Sequence, residues 1–134
     1  MTNVSPLASP RRVLVVDDHE PTAVGLSRLI RVLGHDVHIA PNGQAALDSL
    51  DAFRPDLILL DLGLPHMDGY EVVRLLRAHP VSRTVTIVAL TGYGGSTDRL
   101  RVREAGFDHH LVKPAQFKAV AALLDPSSDT QQLQ

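Results

Sequence analysis

The sequence predicts an α/β domain with a five-stranded parallel sheet and helices on both faces. Three observations carry that prediction. Five short apolar runs of strand length recur along the chain. Helix-periodic segments fill every gap between them. Four of the five runs are continuous or nearly so, as expected when both faces of a parallel sheet are covered. Strand-helix alternation with short connections then implies right-handed crossovers that place helices on both sides of the sheet.

The first strand is Val13–Val16. In the helix that follows, Leu26, Leu29, Ile30 and Leu33 keep the i, i+3, i+4, i+7 spacing, and Gly34 stops it. The second strand, Asp36–Ala40, alternates Val37 and Ile39 with polar residues, the pattern of an edge strand. Asn42 is placed to cap a second helix that turns Ala46, Leu47 and Leu50 inward. Leu57–Leu60 forms the third strand. Asp68 with Glu71 three residues on resembles a capping box and opens a helix with Val72, Leu75 and Leu76 on one face. The fourth strand is Thr86–Leu90. The helix at Ser96–Ala105 is the weakest, offering only Leu100, Val102 and Ala105, with Arg99, Arg101 and Arg103 as a solvated face or a docking strip for an acidic partner. A weaker strand at His109–Val112 precedes a last helix striped by Phe117, Val120, Ala121 and Leu124.

The 134 residues suffice for one domain with a real core. Hydrophobic residues make up 44% and charged residues 21%, with a formal net charge of −2. That balance gives no basic field of the kind that draws in nucleic acid. The absence of cysteine excludes disulfides, thiolate metal sites and Cys nucleophiles, and is compatible with a reducing cytoplasm. No apolar run approaches the roughly 20 residues of a membrane helix. The opening, MTNVSPLASPRR, lacks the layout of a secretion signal. The expected organisation is a flexible lead over 1–10, a folded unit over 11–125 and a loose polar tail over 126–134.

In a parallel sheet all strands end on one edge, and ligands bind there. Asp17 and Asp18 follow the first strand, Asp61 the third, Thr91 the fourth, and Lys113 with Pro114 the fifth. Carboxylates brought within about 4–6 Å repel, so one must take up a proton unless a cation joins them. A hard cation such as Mg²⁺ removes the conflict and leaves coordination positions for phosphate oxygens. Metal, ammonium and hydroxyl together suit a phosphoryl group, whose transfer needs mainly positioning and charge neutralisation.

The stretches VLVVDDHE, LILLDLGLPHMDGYEV, TIVALTG and HHLVKP, in this order, resemble the receiver domains of response regulators. The match covers Val13 to Leu124. The resemblance implies a flavodoxin-like, doubly wound (βα)5 fold with strand order 2-1-3-4-5. It implies that Asp61 takes a phosphoryl group from a phosphohistidine, changing the domain between two conformations that present different partner-binding surfaces. Asp18 would hold Mg²⁺ directly, Asp17 largely through water, with Asp61 and the Gly63 carbonyl completing the protein's ligands and Mn²⁺ as a substitute. Lys113 would pair with phosphoryl oxygens, Thr91 would hydrogen-bond one of them, and the Lys113–Pro114 bond would be cis. The implied partners are a histidine kinase or histidine phosphotransfer domain and a downstream protein. The chemistry would be confined to the domain's own phosphorylation and dephosphorylation.

Some positions depart from the family pattern. Gly63 and Tyr93 stand where side chains help set the lifetime of the acyl phosphate. His110 replaces the aromatic residue that turns inward when Thr91 moves, so it is either a switch residue, of a type whose charge can change near neutral pH, or a half-exposed strand filler. Ala115 replaces the usual aromatic after Lys-Pro. Asp68 reads as a helix cap, Gly69 as loosening a turn, and the other five histidines as surface residues. The run Gly92–Ser96 lacks the spacing of a nucleotide loop, and His109 and His110, facing opposite ways in a strand, suit no shared metal. A haloacid-dehalogenase-type phosphatase would need Asp-x-Asp after the first strand, whereas here the acids are adjacent. A receiver that only binds, without phosphorylation, fits poorly with the complete acid–Thr–Lys set. The stretches ALTGYG and FDHHLVKP look like those of receivers in hybrid histidine kinases or of their single-domain relatives.

Overall fold

Successive side chains of a strand point to opposite faces, and here every central strand is apolar on both. Arg12–Val16 (β1), Leu57–Asp61 (β3) and Thr86–Thr91 (β4) send Val13, Val15, Leu57, Leu59, Val88 and Leu90 to one side. Leu14, Val16, Ile58, Leu60, Ile87 and Ala89 go to the other. Two separate cores result, and continuous hydrophobic runs are the sequence trace of both. The computed structural model describes residues 10–64, 67–92 and 99–125.

The first core is closed by Glu20–Val32 (α1) and Phe117–Leu124 (α5), through Ala23, Leu26, Ile30, Val120, Leu123 and Leu124. The second is closed by Gly43–Phe53 (α2), Gly69–Ala78 (α3) and Arg99–Ala105 (α4). With Asp36–Ala40 (β2) and His109–Val112 (β5), the strands form one parallel sheet in the order β2-β1-β3-β4-β5. This is the doubly wound order expected, with β2 at an edge as its alternation predicts.

The helix ends follow local chemistry. Gly34 adopts φ 97, and the Gly34 and His35 amides close back on the Arg31 and Ile30 carbonyls at 2.9 and 3.3 Å, ending α1. Asn42 accepts from the Ala45 amide at 2.8 Å and Asp68 from the Glu71 amide at 2.9 Å, so both act as N-caps. His19, not anticipated as a cap, accepts from the Thr22 amide at the start of α1.

Three expected core positions are corrected. Leu75, Leu100 and Phe117 are 44%, 64% and 54% exposed. Val73 in α3 and Leu123 in α5 are buried instead, because the docked face of each helix lies a fraction of a turn from the stripe the sequence suggested. The beginning of the expected fourth helix, residues 96–98, lies outside the described residues.

Candidate functional site

Strands β3 and β4 each run one residue further than expected, so Asp61 and Thr91 are the last residues of their strands rather than the first of the loops. Backbone pairing therefore fixes the Cα of each. Asp61 sits opposite Leu90, and Thr91 opposite Val112. The Leu62 amide donates to the Leu90 carbonyl at 3.0 Å and the Lys113 amide to the Thr91 carbonyl at 2.7 Å, which carries the register past the strand ends. Asp17 is held in the same way through its amide on the Ala40 carbonyl at 3.1 Å.

The three acids meet at this edge. Each of Asp17, Asp18 and Asp61 places one carboxylate oxygen within 4.8 Å of the others. Asp17 and Asp61 are buried, and Asp18 is exposed. Lys113 Nζ lies 3.1 Å from Asp17 Oδ2 and 3.1 Å from Asp61 Oδ2. Burial of the ammonium pulls its pKa down, but the contacts with Asp17 and Asp61 outweigh this and hold it above its ordinary value. Lys113 is thus a fixed positive charge. The Lys113–Pro114 peptide is cis, as expected.

Two backbone amides orient the carboxylates. The His19 amide donates to Asp17 Oδ1 and the Gly63 amide to Asp61 Oδ1, each at 2.9 Å. Asp17 Oδ2 is buried and receives no hydrogen bond, being met only by the ion pair to Lys113. Three carboxylates against one ammonium leave two negative charges, and carboxylates this close repel unless a further cation joins them. An all-oxygen donor set with this charge fits a divalent hard cation such as Mg²⁺. Among the described residues this is the only cluster of potential metal ligands, and His109 and His110 are not part of one.

Comparison with known proteins places this geometry. Residues 13–125 match the family described as "Response regulator receiver domain". The chain belongs to the response regulator receiver domain family. The receiver is 42% identical over 108 residues to the transcriptional regulatory protein PrrA of Mycobacterium tuberculosis, covering 81% of this chain and 45% of PrrA. It is 39% identical over 112 residues to the DNA-binding response regulator MtrA of Mycobacterium leprae, covering 84% of this chain and 48% of MtrA. The chain thus spans about half the length of these curated relatives. Among solved structures it is similar to the Vibrio cholerae chemotaxis protein CheY4, with a TM-score of 0.80 and 27% identity over 87% of this chain and 97% of that one. It is also similar to the receiver domain of the sensor histidine kinase PA1611 from Pseudomonas aeruginosa. There the TM-score is 0.77 and the identity 32%, over 87% and 95% of the two chains, and that structure has a magnesium ion coordinated in its active-site cleft. The fold, the family and the general role as a phospho-accepting switch of two-component signalling follow for this receiver.

Of the residues singled out in the sequence, the structure brings together Asp17, Asp18, Asp61 and Lys113. Gly63 is exposed beside Asp61, bonded to it through its amide. Thr91 is buried, and its hydroxyl donates to the Leu111 carbonyl at 3.4 Å, a long bond. His110 is half-buried and lines a cavity of about 310 Å³ between α4 and β5 with Arg99, Arg103 and Phe107. Burial and then the nearby Arg99 charge push its pKa below the ordinary value. The arginine strip of α4 is divided: Arg99 and Arg103 border this cavity, whereas the Arg101 guanidinium stacks over Tyr70 at 4.3 Å. Tyr93, Pro65 and most of the Gly92–Ser96 run lie outside the described residues.

Gly69 proves to be part of the site's frame. A Cβ there would lie 2.7 Å from Leu62 Cα and 3.0 Å from the Asp61 carbonyl oxygen. Its role is therefore close approach of α3 to the end of β3, not the loosening of a turn. Sequence alone shows such a glycine only as one more residue of a turn.

Proposed function

We propose that this receiver accepts a phosphoryl group on Asp61 from a phosphohistidine. The observation that carries the reading is the Asp61 carboxylate, buried at the end of β3, bridged by Lys113 at 3.1 Å and grouped with Asp17 and Asp18. A carboxylate oxygen of Asp61 attacks phosphorus, a new O–P bond forms, the P–N bond breaks, and its electron pair stays on the departing imidazole. The Gly63 amide holds Asp61 in one rotamer during the approach. Lys113, already close to Asp61, follows the charge outward onto a phosphoryl oxygen. Asp17, Asp18, Asp61 and the Gly63 carbonyl would hold Mg²⁺, or Mn²⁺ in its place, which when bound supplies neutralisation of charge on the phosphoryl oxygens.

The readout begins at Thr91. Its long bond to the Leu111 carbonyl is readily exchanged for one to a phosphoryl oxygen, and Leu111 adjoins His110, the switch position beside the α4–β5 cavity. Phosphorylation thereby shifts an equilibrium between two conformations. Leu100, Val112 and Phe117, exposed on α4, β5 and α5, supply apolar surface for a downstream protein. The donor, a histidine kinase or histidine phosphotransfer domain, docks beside the site, where Pro21, Gly25 and Leu29 of α1 face Pro114 and Ala115 across a groove of about 240 Å³. A Cβ at Gly25 would touch nothing within 4 Å, so the groove is open at the middle of α1.

The domain is a signalling switch, and the only reaction we assign is formation and loss of its own acyl phosphate. No helix among the described residues is long and apolar enough to cross a membrane. We place the receiver in the cytoplasm, beside its proposed phosphohistidine donor, with a folded unit of residues 11–125 in keeping with the family match over 13–125. Its likeness to the receiver domain of a sensor histidine kinase and to the chemotaxis protein CheY4, 97% of whose chain is covered, supports a receiver either within a hybrid kinase or standing alone. The test is intact mass after incubation with Mg²⁺ and a small acyl phosphate. A gain of about 80 Da, one phosphoryl group, is expected in the wild type and lost in Asp61→Asn or with chelator. A gain that persists in Asp61→Asn overturns the assignment, as does a wild type that no donor labels.

A further inference from the structure

The opposite edge of the sheet, where the strands begin, contains a buried histidine that the signalling chemistry does not use. We propose that His35 is the pin of a pH-sensitive latch, holding the start of β1 against the end of α5 while neutral and releasing both when protonated.

The geometry centres on Arg11. Its amide donates to His35 Nδ1 at 2.9 Å. Its carbonyl accepts from the Asp36 amide at 3.0 Å, at the start of β2. Its guanidinium donates through NH1 to the Leu123 carbonyl of α5 at 3.0 Å, across 112 positions of sequence, and through Nε to Asp56 Oδ1 at 3.4 Å, just before β3. Arg11 therefore joins the beginnings of three strands to the last turn of α5, and the His35 ring is what fixes its amide. His35 is 6% exposed, and the preceding Gly34 sets its position through the turn that ends α1.

Because Nδ1 accepts a hydrogen bond, the imidazole must be neutral in the latched state, with its proton on Nε2. Protonation turns the acceptor into a donor facing another donor. It also sets a positive charge beside the Arg11 guanidinium, opposed among the described residues by Asp56. The other charged groups nearby are engaged elsewhere: Arg12 pairs with Asp36 at 3.5 Å, and Arg31 donates to the Val37 carbonyl at 3.3 Å. From α5 the cluster receives the Leu123 carbonyl. Burial, then Arg11, holds the His35 pKa below its ordinary 6.5, with Asp56 acting the other way. The unfolded or unlatched chain therefore binds the proton at higher pH than the latched one. The latch is complete above about pH 6.5 and is lost as the pH falls through the lower folded value.

The test is an NMR pH titration of the full chain with amide exchange measured alongside. The His35 ring and the Arg11 amide should shift with one shared midpoint below 6.5. Protection factors, corrected for intrinsic exchange, should fall by up to about tenfold per pH unit between pH 6.5 and that midpoint at Arg11, Asp36 and Asp125, and level off below it. Core amides of β3 should keep theirs. In His35→Asn, which offers an oxygen acceptor that does not titrate, protection at these amides should be independent of pH whatever its level. The proposal is overturned if wild-type protection stays flat to pH 5, if ring and amide titrate with different midpoints, or if His35→Asn shows the same fall. The shared midpoint in the wild type decides the matter should the variant not fold.

Discussion

The two edges of the sheet use the same kinds of residue to opposite ends. At the N-terminal edge Arg11, Arg12, Asp36, Asp56, Arg77 and Asp108, near the strand starts, all have partners. Arg77, at the end of α3, donates to the carbonyls of Gly106, Ser82, Arg83 and Val85 and to Asp108 Oδ2. Asp108 in turn accepts from the Ile87 amide at 2.8 Å. Arg11, His35 and Asp56 form the corresponding cluster under β1 and β3. At the C-terminal edge three carboxylates gather around one ammonium that pairs with only two of them, and a buried oxygen of Asp17 has that ion pair but no hydrogen bond. Satisfied charge stabilises the fold; unsatisfied charge waits for a ligand. The lesson is that charge alone does not mark a site, and the mismatch of donors and acceptors does.

Substitutions should separate the edges. The largest effect is expected from Arg77→Ala, which leaves several carbonyls without their donor and should cost about 3 kcal/mol in chemical denaturation. It should not abolish phosphorylation under conditions where the protein is folded. Gly69→Ala should cost about 2 kcal/mol, because the added methyl meets the Leu62 backbone and something must shift. It differs from Arg77→Ala in also slowing phosphorylation of the folded protein, since the displaced segment carries Asp61; an unchanged phosphorylation rate would separate Gly69 from the site.

Much of the site was legible in the sequence, because a residue just after a parallel strand can lie only on one edge. That rule alone brought Asp17, Asp18, Asp61, Thr91 and Lys113 together. What it could not supply was rotation and reach. Leu75, Leu100 and Phe117 read as core because a helical stripe is wide, and the neighbouring helices decide which side of it is buried. His35 read as a surface histidine, yet the turn after α1 folds it under Arg11. Arg77 carries no signal in the sequence, while in the structure its guanidinium reaches segments up to 31 positions away. Arg99, Arg101 and Arg103 read as one strip, although successive odd positions on a helix diverge and Tyr70 captures Arg101. Local pattern reports which element a residue occupies; partners distant in sequence decide what it does there.

The most direct test of the contrast between the edges is thermal unfolding of the wild type and Asp18→Asn in chelator and in Mg²⁺. Asp18 is exposed and makes no ion pair with Lys113, so its replacement relieves repulsion without removing that bridge. In chelator the variant should be at least as stable as the wild type. At Mg²⁺ tenfold above its dissociation constant the wild type should gain about 1.4 kcal/mol, and the variant nearly nothing. A wild type indifferent to Mg²⁺, or an equal gain in both proteins, would contradict the account of the C-terminal edge as a cation-dependent phosphoryl-acceptor site.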